Sequence, residues 1–396
     1  MLTTMPGRQK MLPHGGARIV EAAILCAGLG LIVIAALTDQ HWLDRHVLPH
    51  MFLSRGEQLL WWRVERVGAL VLGVALIVLA RPWIGGRMRR GHGRELAILS
   101  GLAIVAILLS GVACELVLRT TSWRKIDHWA ATEEPRRIAD AHLGWNNMPS
   151  RVGVDNFYGQ RIVYAIDADG RRIAAPDRPL DPARPSILFT GESIMLGFRL
   201  NWNETIEGRV EAATGLQSAD LAVNGYGTDQ SFMRLERQMP RFAQPKAVVA
   251  LFAPTLMERN LDDDRPHLDA ALRWHPERRY WRLQRLAKNV VLYHGQRRIN
   301  EGIAMTRAVL ETTVSSARAR GAAALILVPG FGPELPTERE IVRRVLDEPG
   351  LPYVRVRIDP EWRIVGDKHP DARADLLMAR AVMAGLAKQR PDLFAR

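Results

Sequence analysis

The sequence predicts an α/β domain built on a parallel sheet and preceded by three transmembrane helices. Two observations lead to this fold class. Nearly all long unbroken apolar runs in the 396-residue chain fall before residue 120, which separates a membrane module from the remainder. After residue 185, short apolar runs alternate with helical patterns, and this alternation is typical of parallel strands connected by helices.

The membrane module comprises residues 1–119, with spans expected at about 20–38, 60–82 and 95–118. Each span is close to the ~20 apolar residues needed to cross a bilayer. The first span follows a basic leader containing Arg8, Lys10 and Arg18, a feature shared with signal peptides. Because no small-x-small cleavage site precedes Thr38 and two spans follow, an uncleaved helix is expected.

The loops between the spans predict the orientation. The connection 81–94 carries five arginines and no acid, whereas the connection 38–60 mixes acids and arginines. The arginine-rich loop should therefore stay in the cytoplasm, so that everything after residue 120 lies outside. Binding of this loop to anionic lipid or nucleic acid is the alternative interpretation, but its position between two spans favours a role in orientation.

Composition excludes several other classes of protein. The net charge of +12 is explained by arginines that flank the spans or scatter through the chain, so no nucleic-acid partner is expected. Cys26 and Cys114 lie within apolar segments and predict neither a disulfide framework nor a thiolate metal site. Three adjacent acids, residues 262–264, precede His267, but they cannot all converge on one ion. No metal or cofactor is predicted, whereas membrane lipid is an expected partner.

Residues 120–185 are polar and turn-rich, and they predict a linker with a small hairpin. Residues 186–396 should form the α/β domain, in which the segment from Arg265 to Arg298 is expected to be an insertion over one edge. Buried strands are predicted at Ser186–Thr190, Ser218–Val223, Ala247–Ala253, Ala323–Val328 and Tyr353–Ile358. Helices are predicted at Glu204–Thr214, Asp229–Met239, Asn300–Arg320, Thr337–Leu346 and Ala372–Gln389.

Three segments at predicted strand ends carry the candidate chemistry. Ser193 follows the first strand at an expected helix start, where backbone N–H groups favour an anionic oxygen. A serine hydroxyl needs a base and an acid that orients the base, and His369 and Asp367 share one loop after the last strand. Gly225 follows the second strand and lets a backbone N–H approach a substrate closely. Since ligands bind at the carboxyl ends of parallel strands, these segments should meet there.

Together, these segments resemble the SGNH/GDSL hydrolase family, particularly its membrane-anchored bacterial members. Phe189-Thr190-Gly191-Glu192-Ser193 is similar to the first block of the family, normally Gly-Asp-Ser, with glutamate in place of aspartate. The segment 222–230, with Asn224-Gly225-Tyr226-Gly227, resembles the second block, and Asp367-Lys368-His369-Pro370 resembles the last.

The resemblance covers roughly residues 185–390 and implies a flavodoxin-like three-layer fold. It implies Ser193, His369 and Asp367 as catalytic residues, with the N–H groups of Ser193 and Gly225 in the oxyanion hole. It also implies a multi-pass protein of the bacterial inner membrane with a periplasmic catalytic domain. The expected substrate is an acylated small molecule or envelope glycan.

One block departs from the family pattern. The family usually has Gly-x-Asn-Asp after the third strand, and its asparagine completes the oxyanion hole, but the corresponding segment here is Phe252–Asn260. Asn260 is the only nearby asparagine and sits several residues late. Three alternatives remain open: Asn260 reaches back, Thr255 takes its place, or this donor is missing.

The expected function is ester hydrolysis through a Ser-His-Asp mechanism, as in an esterase or deacetylase. A sugar hydroxyl as acceptor would instead give an O-acyltransferase of cell-envelope glycans. The rival from another class is a non-catalytic glycan-binding protein of the same fold, which the altered third block favours. A transporter is disfavoured because the spans contain almost no buried ionisable residue apart from Glu115.

Overall fold

The structure, a computed structural model, describes residues 14–51, 53–90, 92–120, 133–290 and 293–394. Arg8 and Lys10 of the basic leader lie outside these ranges. Numbered in chain order, the α-helices are α1 His14–Leu37, α2 Gln40–His46, α3 Arg55–Ala75, α4 Arg81–Arg89, α5 Gly93–Thr120, α6 Ile206–Thr214, α7 Thr228–Gln238, α8 Arg282–Val290, α9 Gln296–Ala319, α10 Pro336–Val342 and α11 Ala372–Gln389. The strands are β1 Arg137–Asp140, β2 Gly144–Asn147, β3 Arg151–Phe157, β4 Gln160–Ile166, β5 Arg172–Ile173, β6 Ser186–Thr190, β7 Gln217–Asp220, β8 Pro245–Leu251, β9 His267–Leu268, β10 Trp274–His275, β11 Ala323–Phe331 and β12 Tyr353–Ile358.

The chain divides into two compact units, each described below by itself. A helical unit comprises Met1–Arg45, Leu53–Thr121 and Trp281–Val291. An α/β unit comprises His46–Phe52, Ser122–Tyr280 and Leu292–Arg396.

Three helices of the helical unit are long and apolar enough to cross a membrane: Gly16–Leu37, Arg55–Arg89 and Gly93–Thr120. At most 11% of the most apolar stretch of each helix is buried, so the apolar side chains face outward. This arrangement indicates membrane association, because water would not favour such exposure. The second helix extends beyond the predicted 60–82 at both ends. It continues through Arg66, whose Nε donates to the Ala35 carbonyl at 2.8 Å and whose guanidinium covers the Trp62 ring.

The predicted insertion 265–298 is divided between the two units. β9 and β10 belong to the α/β unit, whereas α8 belongs to the helical unit. The Leu283 N–H at the start of α8 donates to Glu115 Oε2 at 2.9 Å, so the one carboxylate near the end of the third span binds a helix N-terminus.

The α/β unit is built on an eight-stranded sheet with the order β12-β11-β8-β6-β7-β5-β4-β3. The strands β6, β7, β8, β11 and β12 are parallel to their neighbours within this set. Numbered 1 to 5 along the chain, these strands follow the order 2-1-3-4-5, which is the flavodoxin-like doubly wound order. The predicted α/β fold class is therefore confirmed.

Helices cover both faces of this sheet. Leu188 of β6 packs in a cluster with Leu235 of α7 and Leu310 of α9. Its neighbours Ile187 and Phe189 point to the opposite face, as strand alternation requires, and pack in a cluster with residues of α6 and α11. The sheet is thus the middle of three layers, and its carboxyl edge is left to the loops.

The strands between residues 151 and 173, within the region 120–185 predicted to be a linker with a small hairpin, extend the same sheet. β3, β4 and β5 are antiparallel, and Arg172 of β5 pairs with Asp220 of β7. The buried Arg172 guanidinium donates to the carbonyls of Leu196, Gly197 and Leu200 at 2.5–2.9 Å. The hairpin thereby supports the loop that follows Ser193.

Candidate active site

The site lies at the topological switch point of the sheet. β6 and β8 are neighbours, but the chain leaves them towards opposite sides, to β7 and to β11. A crevice forms between two such loops, and it is the usual ligand site of a doubly wound sheet. The loop after β6 contains Ser193, and the 3₁₀ turn Pro254–Leu261 follows β8.

Ser193 begins a series of turns rather than the predicted helix. Leu196 N donates to the Glu192 carbonyl at 2.9 Å and Phe198 N donates to the Ser193 carbonyl at 3.0 Å. Gly197 and Arg199 adopt φ values of +62° and +63°, which interrupt helical geometry. A Cβ at Gly197 would also lie 2.3 Å from Thr205 Cγ2, so only glycine fits there. A regular helix begins at Ile206.

The structure brings the three predicted catalytic side chains into contact. Ser193 Oγ lies 2.8 Å from His369 Nε2, and His369 Nδ1 lies 2.5 Å from Asp367 Oδ1. Ser193 is fully buried, and the imidazole packs against the Phe198 ring with centroids 4.9 Å apart. Asp367 Oδ1 also accepts the His369 backbone N–H at 2.9 Å, which fixes the loop that carries both residues.

Arg199 holds the second oxygen of Asp367. Its Nη1 pairs with Asp367 Oδ2, and its guanidinium lies 3.3 Å from the centroid of the Phe157 ring. Burial of Asp367 opposes ionisation, but the bonds from His369 and the charge of Arg199 outweigh it and lower the pKa of Asp367 to about 2. The carboxylate is therefore charged at neutral pH. Sequence reasoning missed Arg199, because 168 residues separate it from its partner.

Glu192 is a second neighbour of the serine hydroxyl. Ser193 Oγ donates to Glu192 Oε2 at 2.5 Å, while Ile194 N donates to Oε1 at 3.2 Å. The same Oε2 accepts a hydrogen bond from Arg259 Nη1 at 3.1 Å. Since a hydroxyl has one hydrogen, Glu192 and His369 compete for the Ser193 proton.

The loop with Gly225 lies beside the serine segment. Val223 N donates to the Gly191 carbonyl at 3.3 Å, which joins the ends of β6 and β7. Gly225 has a φ of +85°, a conformation that suits glycine. The preceding Asn224 carbonyl accepts bonds from Trp145 Nε1 at 3.0 Å and Arg137 Nη1 at 3.3 Å, so the loop is held in one position.

The Asn260 side chain is engaged away from the serine. Its Oδ1 accepts the backbone N–H of Thr228, at the start of α7, at 2.8 Å. Its Nδ2 donates to Thr228 Oγ1 at 2.9 Å and to Thr306 Oγ1 at 2.8 Å. Both amide hydrogens are thus used, and in this arrangement none remains for an oxyanion. The expectation that Asn260 reaches back to the site is therefore corrected: it caps α7.

Thr255 and the acidic run complete the set of predicted residues. Thr255 is buried, and within the described residues its Oγ1 has no hydrogen-bond partner. Asp263, in the acidic run, accepts a hydrogen bond from Tyr280 at 2.6 Å. Within the described part of the chain, no group of three or more His, Cys, Asp or Glu is arranged to hold a metal ion.

Comparison with solved structures returns carbohydrate esterases and lipolytic proteins at low identity. A protein described as lipolytic, of the G-D-S-L family from Desulfitobacterium hafniense, is 9% identical over 50% of this chain and 98% of its own, with a TM-score of 0.32. An acetyl xylan esterase from the rumen bacterium Butyrivibrio proteoclasticus is 10% identical over 54% of this chain and 66% of its own, with a TM-score of 0.32. A carbohydrate esterase whose active site is described as having divergent catalytic and non-catalytic binding functions is 14% identical over 62% and 84%, with a TM-score of 0.34.

No protein-family model matches the sequence, and no curated protein matches it. At TM-scores this low, the function of the chain has to be inferred from its own residues.

Proposed function

We propose that this chain is a membrane-anchored serine ester hydrolase of the SGNH/GDSL type, acting outside the cytoplasm. One observation carries the proposal: a serine, a histidine and an ionised aspartate lie in hydrogen-bond contact at the switch point of a doubly wound sheet. This constellation is the one that serine acyl-transfer enzymes use on unrelated folds.

The geometry supports a two-step mechanism. His369 Nε2 takes the Ser193 proton as Oγ attacks the acyl carbon, and Asp367 stabilises the resulting imidazolium. The backbone N–H groups of Ser193 and Gly225 are the proposed donors to the oxyanion. His369 then gives its proton to the departing alcohol, which leaves an acyl ester on Ser193. Water, deprotonated by His369, hydrolyses that ester and restores the enzyme.

A sugar hydroxyl in place of water would make the same site an O-acyltransferase of cell-envelope glycans. The two activities share every step up to the acyl ester and differ in the acceptor. Adding oligosaccharides to the hydrolysis assay separates them, because a transferase would form an acylated sugar at the expense of free acid.

The proposed topology places the α/β unit on the periplasmic side of the bacterial inner membrane. The arginine-rich loop 81–94 supports this orientation. Leu48 and Met51 supply further support, because they follow the first span and yet are buried in the core of the α/β unit. This burial favours a topology in which the loop after the first span lies on the same side of the membrane as that unit. A reporter fused after residue 125 should be active only outside the cytoplasm, and cytoplasmic activity would contradict the topology.

Hydrolysis of p-nitrophenyl acetate by the full chain in detergent tests the proposed activity. Ser193→Ala should abolish turnover while leaving thermal unfolding within a few degrees of the unsubstituted chain. Ser218→Ala is the matched control, since Ser218 is also buried but donates to the Glu207 carbonyl in another part of the sheet. Equal turnover by the Ser193→Ala variant and the unsubstituted chain would exclude the serine mechanism. Absence of turnover by the unsubstituted chain would favour the non-catalytic glycan-binding alternative.

A further inference from the structure

We propose that Arg259 is a catalytic residue that donates to the oxyanion, in the place of the asparagine that the third block lacks. This inference depends on the proposed ester hydrolysis and adds to it the identity of the third donor. It also assigns a role to the glutamate that replaces aspartate before the nucleophile.

The position of Arg259 carries the inference. Arg259 lies in the 3₁₀ turn after β8, on one side of the switch-point crevice. Its Nη1 lies 3.1 Å from Glu192 Oε2, the oxygen to which Ser193 Oγ donates at 2.5 Å. One carboxylate oxygen therefore holds the nucleophile and the guanidinium together.

A second contact of Arg259 also supports its role as a donor to the oxyanion. Nη1 lies 3.5 Å from the carbonyl oxygen of Tyr226, the residue after Gly225. The guanidinium thus lies between the two segments that carry the proposed backbone donors. Its side chain is 20% exposed, so a substrate can reach it, whereas the Glu192 side chain beside it is 7% exposed.

The changes in the first and third blocks meet in this one ion pair. Glutamate replaces aspartate at position 192, and its longer side chain binds Arg259. The asparagine expected after the third strand is absent, and the adjacent Asn260 is occupied at α7. A single contact therefore accounts for the altered first block and the altered third block.

A guanidinium is chemically suited to this task. It presents five N–H donors in one plane, so it can bind Glu192 and a substrate oxygen at the same time. Its charge interacts more strongly with the tetrahedral oxyanion than with the neutral carbonyl of the substrate, which is the condition for accelerating the reaction. Arg259 remains protonated throughout, and the Ser193 proton passes to His369. Pairing with Arg259 also offsets the Glu192 charge beside the nucleophile.

The test compares Arg259→Gln and Arg259→Lys with the unsubstituted full chain in detergent. Arg259→Gln should lower kcat for p-nitrophenyl acetate by about 10²- to 10³-fold, the usual loss for one oxyanion donor, with KM changed less than threefold. Arg259→Lys, which keeps the charge but not the planar fork, should lose less. Labelling of Ser193 by a fluorophosphonate should slow in parallel, because its phosphoryl oxygen occupies the same place as the oxyanion.

Three further variants make the result decisive. Arg297→Gln removes one positive charge from a side chain that is 92% exposed, and it should leave kcat unchanged. Arg259→Ala should regain activity when guanidinium chloride is added at millimolar concentration, which a purely structural role would not produce. Thr255→Val tests the rival donor.

Full kcat in Arg259→Gln, or a loss confined to KM, would overturn the role of Arg259 while leaving the hydrolase proposal intact. A large loss in Thr255→Val with none in Arg259→Gln would assign the donor to Thr255 instead. If the unsubstituted chain neither hydrolyses the ester nor reacts with the fluorophosphonate, the hydrolase proposal itself fails, and this inference fails with it.

Discussion

Replacing Asp367 by asparagine tests how the charged carboxylate orients the base. Asp367 Oδ1 accepts bonds from His369 Nδ1 and from the His369 backbone, while Oδ2 pairs with Arg199. An asparagine offers an acceptor on one side only. If its NH₂ group faces His369, the imidazole must carry its hydrogen on Nε2, and that nitrogen can no longer accept the Ser193 proton. If the NH₂ group faces Arg199, two donors oppose each other.

The stability lost in this variant should be small. The pKa of Asp367 is lowered from 3.8 to about 2, and each unit corresponds to about 1.4 kcal/mol. Solvent screening of this partly exposed group reduces the total to about 1–2 kcal/mol. Because the folded pKa lies below the unfolded one, this stability is present above pH ~4 and is lost as the pH falls towards 2. The difference in unfolding temperature between variant and unsubstituted chain should shrink over that interval.

The catalytic loss should be much larger. An aspartate-to-asparagine change in a Ser-His-Asp site lowers kcat by about 10⁴-fold in the best-studied protease, and we expect about 10³- to 10⁴-fold here. This equals about 4–5.5 kcal/mol of activation free energy. The effect on kcat therefore exceeds the effect on stability, and the two can be separated.

The assay is p-nitrophenyl acetate turnover at pH 7.5, with thermal unfolding followed by tryptophan fluorescence from about pH 2 to 8. Asp392→Asn is the control, since Asp392 also pairs with an arginine but is 60% exposed and lies near the C-terminus. A folded Asp367→Asn variant with kcat within threefold of the unsubstituted chain would refute the orienting role of this carboxylate.

Three other substitutions test the packing around the site. Burial raises the pKa of Asp220, so above pH ~4 the folded protein binds more protons than the unfolded chain, and stability falls as the pH rises. Asp220→Asn should therefore raise the unfolding temperature more at pH 8 than at pH 4, and an equal change at both pH values would contradict this. Arg265 binds both oxygens of the buried Asp229 at 2.8 and 2.9 Å. Arg265→Leu should therefore lower the free energy of unfolding, measured by chemical denaturation, by about 3–5 kcal/mol, and a loss below about 1 kcal/mol would refute the pairing. Gly225→Ala introduces a Cβ at a φ of +85°, so kcat with the ester substrate should fall about tenfold or more. An unchanged kcat would show that this loop tolerates the strain without moving the backbone N–H of residue 225.

Local patterns were sufficient to predict the frame of the site. The bounds of β6, β12 and α11 agree with the prediction because the apolar residues of each element recur in a pattern typical of its structure: a continuous run in β6, alternation in β12 and helical spacing in α11. In a doubly wound sheet the ends of parallel strands share one edge, so the segments after β6 and β7 and the loop of His369 could be expected to meet. This part of the site follows from topology.

The polar contacts around the triad could not be predicted in the same way. Arg259 and Asn260 are neighbours in sequence, but in a 3₁₀ turn consecutive side chains point about 120° apart. Which of them approaches Glu192 depends on where the turn begins, and no periodic pattern records that. The sequence offered Asn260, Thr255 or a missing donor and did not single out Arg259, whereas the turn brings Arg259 to Glu192.

The packing of the region before β6 could not be predicted in detail either. β5 has only two residues, and the buried Arg172 within it looks like a surface residue in the sequence. Its guanidinium is buried because three backbone carbonyls of the serine loop surround it. Such compensation becomes visible only once the chain is folded.

Peptide mass spectrometry of the full chain after reaction with a fluorophosphonate tests the nucleophile most directly. We predict a single phosphonyl adduct, on the peptide that contains Ser193, and its loss when His369 is replaced by alanine. An adduct on another residue, or an unmodified Ser193 in a preparation that hydrolyses esters, would contradict the assignment of Ser193 as the nucleophile.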